Sequence, residues 1–211
     1  MMVVVTPTDD DAATPRAAAR GGRPRRSSGD VLADAAAELF LENGYARTTV
    51  DQIAQRAGVS RATFFNYVDA KADLFWLDLD AALAGLGDRL RASSGLSPVR
   101  AVEAALVGVG RDHDRDRVPW ALTQSEAMRL GDDLVASAAV RFVRLQATVA
   151  AYLAERTGGR ADDLGPSAAA AALLAAAGAA VTAWARAGVS RGDLGDVVAV
   201  ALEPVADGLD R

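Results

Sequence analysis

Apolar residues in this chain recur every three or four positions over long stretches, the spacing of one helix face, and strand-type runs are scarce. The first such stretch covers about 28–43. Val31, Ala35 and Leu39 pair with Leu32, Ala36 and Phe40 to make a wide stripe, and Gly44 ends it. The next begins at Thr49, which can cap a helix while Gln52 reaches back to it, a T-x-x-Q capping box. Val50, Ile53, Ala54 and Ala57 give that helix a buried face, and Gly58 suits the left-handed conformation that stops it. Ser60 can cap a further helix starting at Arg61. Phe64 lies four residues before Val68, so both can point inward against Ile53 and Phe40. Two short helices joined by a turn containing Gly form a helix-turn-helix, whose second helix enters the major groove of DNA.

The pattern continues in longer pieces. Asp69 can cap a helix over about 70–93 that carries Leu74, Leu77, Leu83, Leu86 and Leu90 and links the N-terminal helices to the remainder of the chain. Ser97-Pro98, a cap with Pro at the first helical position, opens a helix to about 111. DHDRDR, 112–117, reads as a charged loop; Pro119 opens a shorter helix toward 130, and Asp132 a long one ending near 156. Helices over 163–187 and 190–209 close the chain, separated by Gly188. The expected fold is all-α: a three-helix head over 27–71, then a larger helical body over 72–211. Residues 1–26, poor in large apolar side chains and punctuated by Pro7, Pro15, Pro24 and Gly21-Gly22, are expected to be a disordered arm. Arg16 to Arg26 either reach the DNA backbone or minor groove or form a solvated tail.

Composition narrows the function. The 211 residues contain no Cys, which removes disulfides, zinc fingers and Cys nucleophiles and fits a cytoplasmic location. The opening MMVVVTPTDDD has too short an apolar stretch for a signal peptide. The uncharged run 164–185 is long enough to span a membrane, but it is mostly Ala, too weakly hydrophobic to drive insertion. The net charge of −5 is unevenly divided. Residues 12–71 carry nine basic and six acidic side chains, net +3, whereas residues 72–211 carry −5. A modestly basic head on an acidic body steers one end toward phosphate.

Over residues 30–75 the chain resembles the TetR/AcrR family of transcriptional regulators. The matching run is Thr48-Thr49-Val50, Ile53-Ala54, Ala57-Gly58-Val59-Ser60, Arg61-Ala62-Thr63-Phe64-Phe65-Asn66-Tyr67 and Lys71, preceded by Ala36, Leu39-Phe40 and Gly44-Tyr45. Val68 stands where many members have Phe, and Asn66 where an aromatic is frequent. In such a head Arg61, in the first helical turn, can donate two parallel hydrogen bonds to a guanine edge. Ala62 permits close approach, Thr63 can touch a base or phosphate, and Thr49 with its helix N–H groups suits a phosphate. The resemblance implies that Phe65, Asn66 and Tyr67 are further contacts: Tyr67 to phosphate, Asn66 to adenine. It implies the same of Lys71, the only lysine of the chain, as a flexible phosphate ligand. For Phe65 and Tyr67 the alternative is packing within a small domain.

The resemblance further implies a homodimer on double-stranded operator DNA, each subunit reading one half-site. The last two helices, rich in Ala over 168–180 with Leu173, Leu174, Val181 and Trp184, and with Val197, Val198, Val200, Ala201, Leu202 and Val205 as the partner surface, look like the family's dimerising pair, unless that stripe closes the monomer's own core. A small-molecule effector is expected between the linking helix and the body. Trp76, Leu79, Leu83, Trp120, Gln124, Met128 and Phe142 are its candidate lining, suiting an apolar or aromatic ligand. No enzyme is expected, and no cofactor or metal. His113 is the only histidine and sits in the charged run, and Gly108-Val109-Gly110 lacks the third Gly and preceding strand of a dinucleotide loop. The expected function is a ligand-responsive repressor. The alternatives are an activator or effector-independent regulator, or an interaction protein that kept the fold without specific DNA binding.

Overall fold

A computed structural model describes residues 28–93 and 95–211, so the Arg-containing arm lies outside the described residues. Among those residues all regular structure is helical. In the head, α1 (Ser28–Asn43) buries Leu32, Ala36, Leu39 and Phe40, and Gly44 ends it at φ +79°. α2 (Val50–Arg56) starts from the expected capping box. The Gln52 N–H donates to Thr49 Oγ1 at 3.2 Å, and the Thr49 N–H donates to Gln52 Oε1 at 2.8 Å. Gly58 turns the chain at φ +69°, and Ser60 Oγ accepts the Thr63 N–H at 3.0 Å to start α3 (Arg61–Phe65). Ile53, Phe64 and Val68 meet Phe40 in one core, as their spacing predicts.

Two linking segments differ from the sequence expectation, for one physical reason. Residues 70–93 do not form one helix. They form a 3-10 segment (Lys71–Phe75), α4 (Leu77–Leu83) and α5 (Leu86–Ala92), with Gly85 at the break. The start is secured from the other side of the expected cap: the Ala70 N–H donates to Asp73 Oδ2 at 2.8 Å. Likewise the helix expected from Pro119 toward 130 is only one turn, α7 (Trp120–Thr123). The chain then turns through Arg129 at φ +55° and Gly131 at φ +49°. In both places the head core takes the side chains. Leu74, Phe75, Trp76, Ala121, Met128 and Leu130 are buried with Phe40, Tyr45 and Ile53, so the head does not close at residue 71.

The body is built from α6 (Pro98–Arg111), α8 (Gly131–Thr157), α9 (Leu164–Arg186) and α10 (Leu194–Leu209). Ser97 and Asp193 cap α6 and α10, and Gly158, at φ +74°, ends α8. Val102, Leu106, Val149, Leu153, Leu173, Trp184, Val198 and Leu202 form a second core, separate from that of the head. α8 serves both. Leu134 and Ala138 pack on the head, while Val149 and Leu153 lie in the body core. Arg141 of α8 pairs with Asp73 at 3.0 Å and Asp80 at 2.8 Å, its guanidinium 5.6 Å from the Trp76 ring centroid. α8 and α9 are long and apolar enough to cross a membrane by length and composition. α9, however, lays Leu173, Leu174 and Trp184 into the body core, as a core helix does.

Where α6 crosses the start of α10, no side chain fits between the backbones. A Cβ on Gly110 would lie 2.8 Å from Gly195 Cα, and one on Gly195 2.9 Å from the Arg111 nitrogen. Gly195→Ala is therefore expected to lose about 1–3 kcal/mol in urea unfolding, the usual size of an overpacking penalty. Gly208→Ala, in the same helix with open space around it, is the control and should not destabilise.

Candidate nucleic-acid interface

The outward side of α3 carries the expected surface. Ser60, Arg61, Ala62, Phe65, Asn66 and Tyr67 are exposed, Thr63 is half-buried, and Phe64 faces the core. Two large aromatics in the open are informative: Phe65 is 43% and Tyr67 45% exposed, so neither is consumed by packing. α3 spans a single turn and a half, so Asn66 is its C-terminal cap and Tyr67 follows in the turn. Ser60 Oγ and Thr63 Oγ1 are 2.8 Å apart within the cap. The Arg61 guanidinium reaches back to α2, Nη1 lying 2.6 Å from Asp51 Oδ1, and stands 5.3 Å from the Phe65 ring centroid. Thr49, exposed at the start of α2, completes the face. Arg56, at the other end of α2, straps that helix to α1 through Glu42 at 2.8 Å and Glu38 at 3.1 Å.

Lys71 is placed differently from a free surface cation. Its half-buried Nζ donates to the carbonyls of Tyr45 at 2.6 Å and Thr48 at 2.8 Å, and lies 3.8 Å from the Tyr45 ring centroid. Burial pulls its pKa below the ordinary lysine value, against the opposing pull of Asp133. The physical reason is the bend between α1 and α2, where the Thr48 carbonyl has no backbone donor and the Tyr45 carbonyl has only the Thr48 N–H, at 3.1 Å. Tyr45 is fixed on the other side as well, its N–H donating to the Met128 carbonyl at 2.9 Å. Burial, reinforced by Asp133 and Asp73, pushes the Tyr45 phenol up to about 12. Lys71 thus holds the segment that delivers Thr49 and α2.

The expected effector residues are dispersed. Trp76, Leu79 and Trp120 line a cleft of about 350 Å³ between head and body, with Phe75, Val118 and Leu122 beside them. Leu83 and Phe142 instead pack on the body core, Met128 is buried in the head core, and Gln124 is exposed to solvent. The cleft rim is polar, with Asp30, Asp34, Asp78, Asp116 and Arg117, which spacing alone did not suggest. His113 is half-buried rather than solvated: Nε2 is 2.6 Å from the Arg117 carbonyl oxygen and the ring stands edge-on to Trp184.

The residues expected at a dimer interface divide between the core and the surface. Leu173, Leu174, Trp184, Val198 and Leu202 are buried within one chain, and Val181 and Val205 pack against the same core. Helical periodicity finds a buried face but does not say what buries it. The opposite face of α9 is the open one: Ala168, Ala172, Ala175, Ala179 and Ala183 are all exposed, and so, on α10, is Val200 at 73%.

Removing the Lys71 ammonium while keeping its stem tests its placement. Lys71→Met leaves the Thr48 carbonyl without a donor and the Tyr45 carbonyl with the Thr48 N–H alone, and is expected to cost about 1–3 kcal/mol in urea unfolding.

Comparison with known proteins agrees with this geometry. The sequence profile described as bacterial regulatory proteins, tetR family, matches residues 32–76. A second, described as the MftR C-terminal domain, matches residues 96–210. The chain is 29% identical over 193 residues to a Mycobacterium tuberculosis protein named as a mycofactocin biosynthesis transcriptional regulator, MftR, covering 91% of this chain and 96% of that one. It is 31% identical over 165 residues to the transcriptional regulator TcmR of Streptomyces glaucescens, covering 75% and 73%. Among solved structures it is similar to the TetR-family repressor FadR of Thermus thermophilus in complex with lauroyl-CoA. The TM-score there is 0.52 at 26% identity, covering 85% of this chain and 94% of that one. With family profiles matching its helix-turn-helix over 32–76 and most of its body over 96–210, and with relatives that are transcriptional regulators and not enzymes, this chain belongs to the TetR family of bacterial transcriptional regulators.

Proposed function

We propose that the protein is a ligand-responsive repressor that binds a palindromic operator in the cytoplasm as a homodimer and is released by a small apolar or aromatic effector. The observation that carries the reading is the exposed face of α3, on which Arg61, Phe65, Asn66 and Tyr67 stand free of the core. Arg61 is the base reader, through the two acceptors of a guanine edge. Ala62 and Thr63 sit against the groove, Asn66 reaches an adenine, and Thr49 and Tyr67 bind phosphates. Lys71 acts through the Tyr45–Thr48 bend that sets the height of Thr49, with little of its ammonium left for phosphate.

One head makes too few contacts for a specific site, so two copies about one duplex turn apart are required. The alanine stripe of α9 and Val200 supply a face on which two chains can approach closely. The cleft lined by Trp76, Leu79 and Trp120 is the effector site. FadR, solved with lauroyl-CoA, gives precedent for an effector with a long apolar part. A ligand that fits this cleft in one head orientation and not the other shifts the population between them, and with it the spacing of the two heads.

The reading is tested by mobility shift on the chain's own upstream DNA at several salt concentrations. Arg61→Ala is expected to lose about 1–3 kcal/mol of discrimination at one base position. Equal losses on operator and unrelated duplex would contradict its role. Ala175→Glu puts a charge in the middle of the proposed dimer face. Sedimentation should then report a folded monomer that binds operator no better than random DNA.

A further inference from the structure

We propose that Asp51 is a specificity-determining residue of the reading face: its carboxylate holds the Arg61 guanidinium as a fork for a base edge and keeps it from settling on phosphate. This rests on the reading of Arg61 as the base contact. Asp51 comes from α2 and Arg61 from α3, so the 2.6 Å contact between them bridges the turn of the motif. The Phe65 ring, 5.3 Å from the guanidinium carbon, flanks the same group. A guanidinium has five N–H donors, and one bond to Asp51 leaves the rest for a ligand. Fixing the plane before DNA arrives reduces the freedom lost on docking.

The second effect is electrostatic. From residue 49 to residue 71 the cations are Arg56, Arg61 and Lys71. Arg56 is bonded to Glu38 and Glu42, and Lys71 to two backbone carbonyls. Within that span Arg61 is the cation held by a single hydrogen bond, and its partner in that bond is Asp51, which offsets its charge. A phosphate must compete with Asp51 for the guanidinium and is repelled by it. A guanine edge is uncharged and can bind the remaining donors with the pair intact. The side chains of the pair are 59% and 68% exposed, so it adds little to folding stability. An acidic residue in the first turn of α2 also suits the helix dipole. That role would alter stability and leave the ratio between duplexes unchanged.

The experiment uses the full chain and the duplex it selects from a randomised pool, with a shuffled duplex as reference, at two salt concentrations. Fluorescence anisotropy is read for the wild type, D51N, R61A and the double variant, each with a thermal melt. D51N is expected to bind the shuffled duplex several-fold more tightly, with steeper salt dependence. Its specificity ratio should fall about tenfold, the order of one lost base discrimination. In the R61A background D51N should leave the ratio unchanged. An unchanged ratio in D51N beside a selective loss in R61A overturns the role of Asp51 alone. Equal losses on both duplexes in R61A, or no duplex selected by the wild type, overturn the base-reader assignment and this proposal with it. Should D51N not fold, D51S carries the same comparison.

Discussion

A three-helix head of this size has too little interior to close by itself, and the rest of the molecule is arranged around that shortage. Small domains bury a smaller fraction of their surface, so each missing apolar contact weighs heavily. Here Phe40, Ile53 and Phe64 are completed by Leu74, Phe75 and Trp76 from the following segment. Ala121, Met128 and Leu130 complete them from a segment nearly fifty residues further on. The orientation of α3 is consequently not a property of residues 27–71 alone. It depends on how the 119–131 segment packs, and that segment leads directly into α8.

That dependence supplies a physical route between cleft and reading face. Trp76 and Trp120 each touch the cleft and belong to, or pack against, the head core. Shortly after α7, the Met128 carbonyl receives the Tyr45 N–H, and Lys71 ties the same bend from the other side. A ligand that moves either tryptophan therefore acts on side chains already packed against Phe40. Arg141, paired with Asp73 and Asp80, keeps α8 aligned with the start of the linking segment. Coupling of this kind needs two packings of one core, and a core shared by two halves of a chain provides the opportunity.

The parts legible in the sequence were those fixed by local chemistry. Thr49 with Gln52, Gly58, and Ser60 with Thr63 each depend on neighbours within four positions, and the motif they define is where they placed it. The inward set of Ile53, Phe64 and Val68 followed from helical spacing for the same reason. What escaped were properties set at long range. An apolar stripe through Leu173, Leu174, Trp184, Val198 and Leu202 has the same pattern whether a partner or the chain itself covers it. The long linking helix was broken by the demand of the head core for Leu74 to Trp76, which no local rule states. Lys71 stood out as the chain's only lysine and was expected on phosphate, but its carbonyl partners lie 23 and 26 residues away, beyond any local rule.

Arg129 holds a left-handed backbone that only glycine adopts without penalty, at a cost of about 1–2 kcal/mol. It sits opposite Gly44, itself left-handed, with the arginine stem 3.4 Å from where a Cβ on Gly44 would lie. The join between the two halves is thus kept under tension by an ordinary residue where glycine would relax it. Glycine at 129 would remove that strain while leaving the chain freer before folding, so the two effects oppose each other in the stability of the joint.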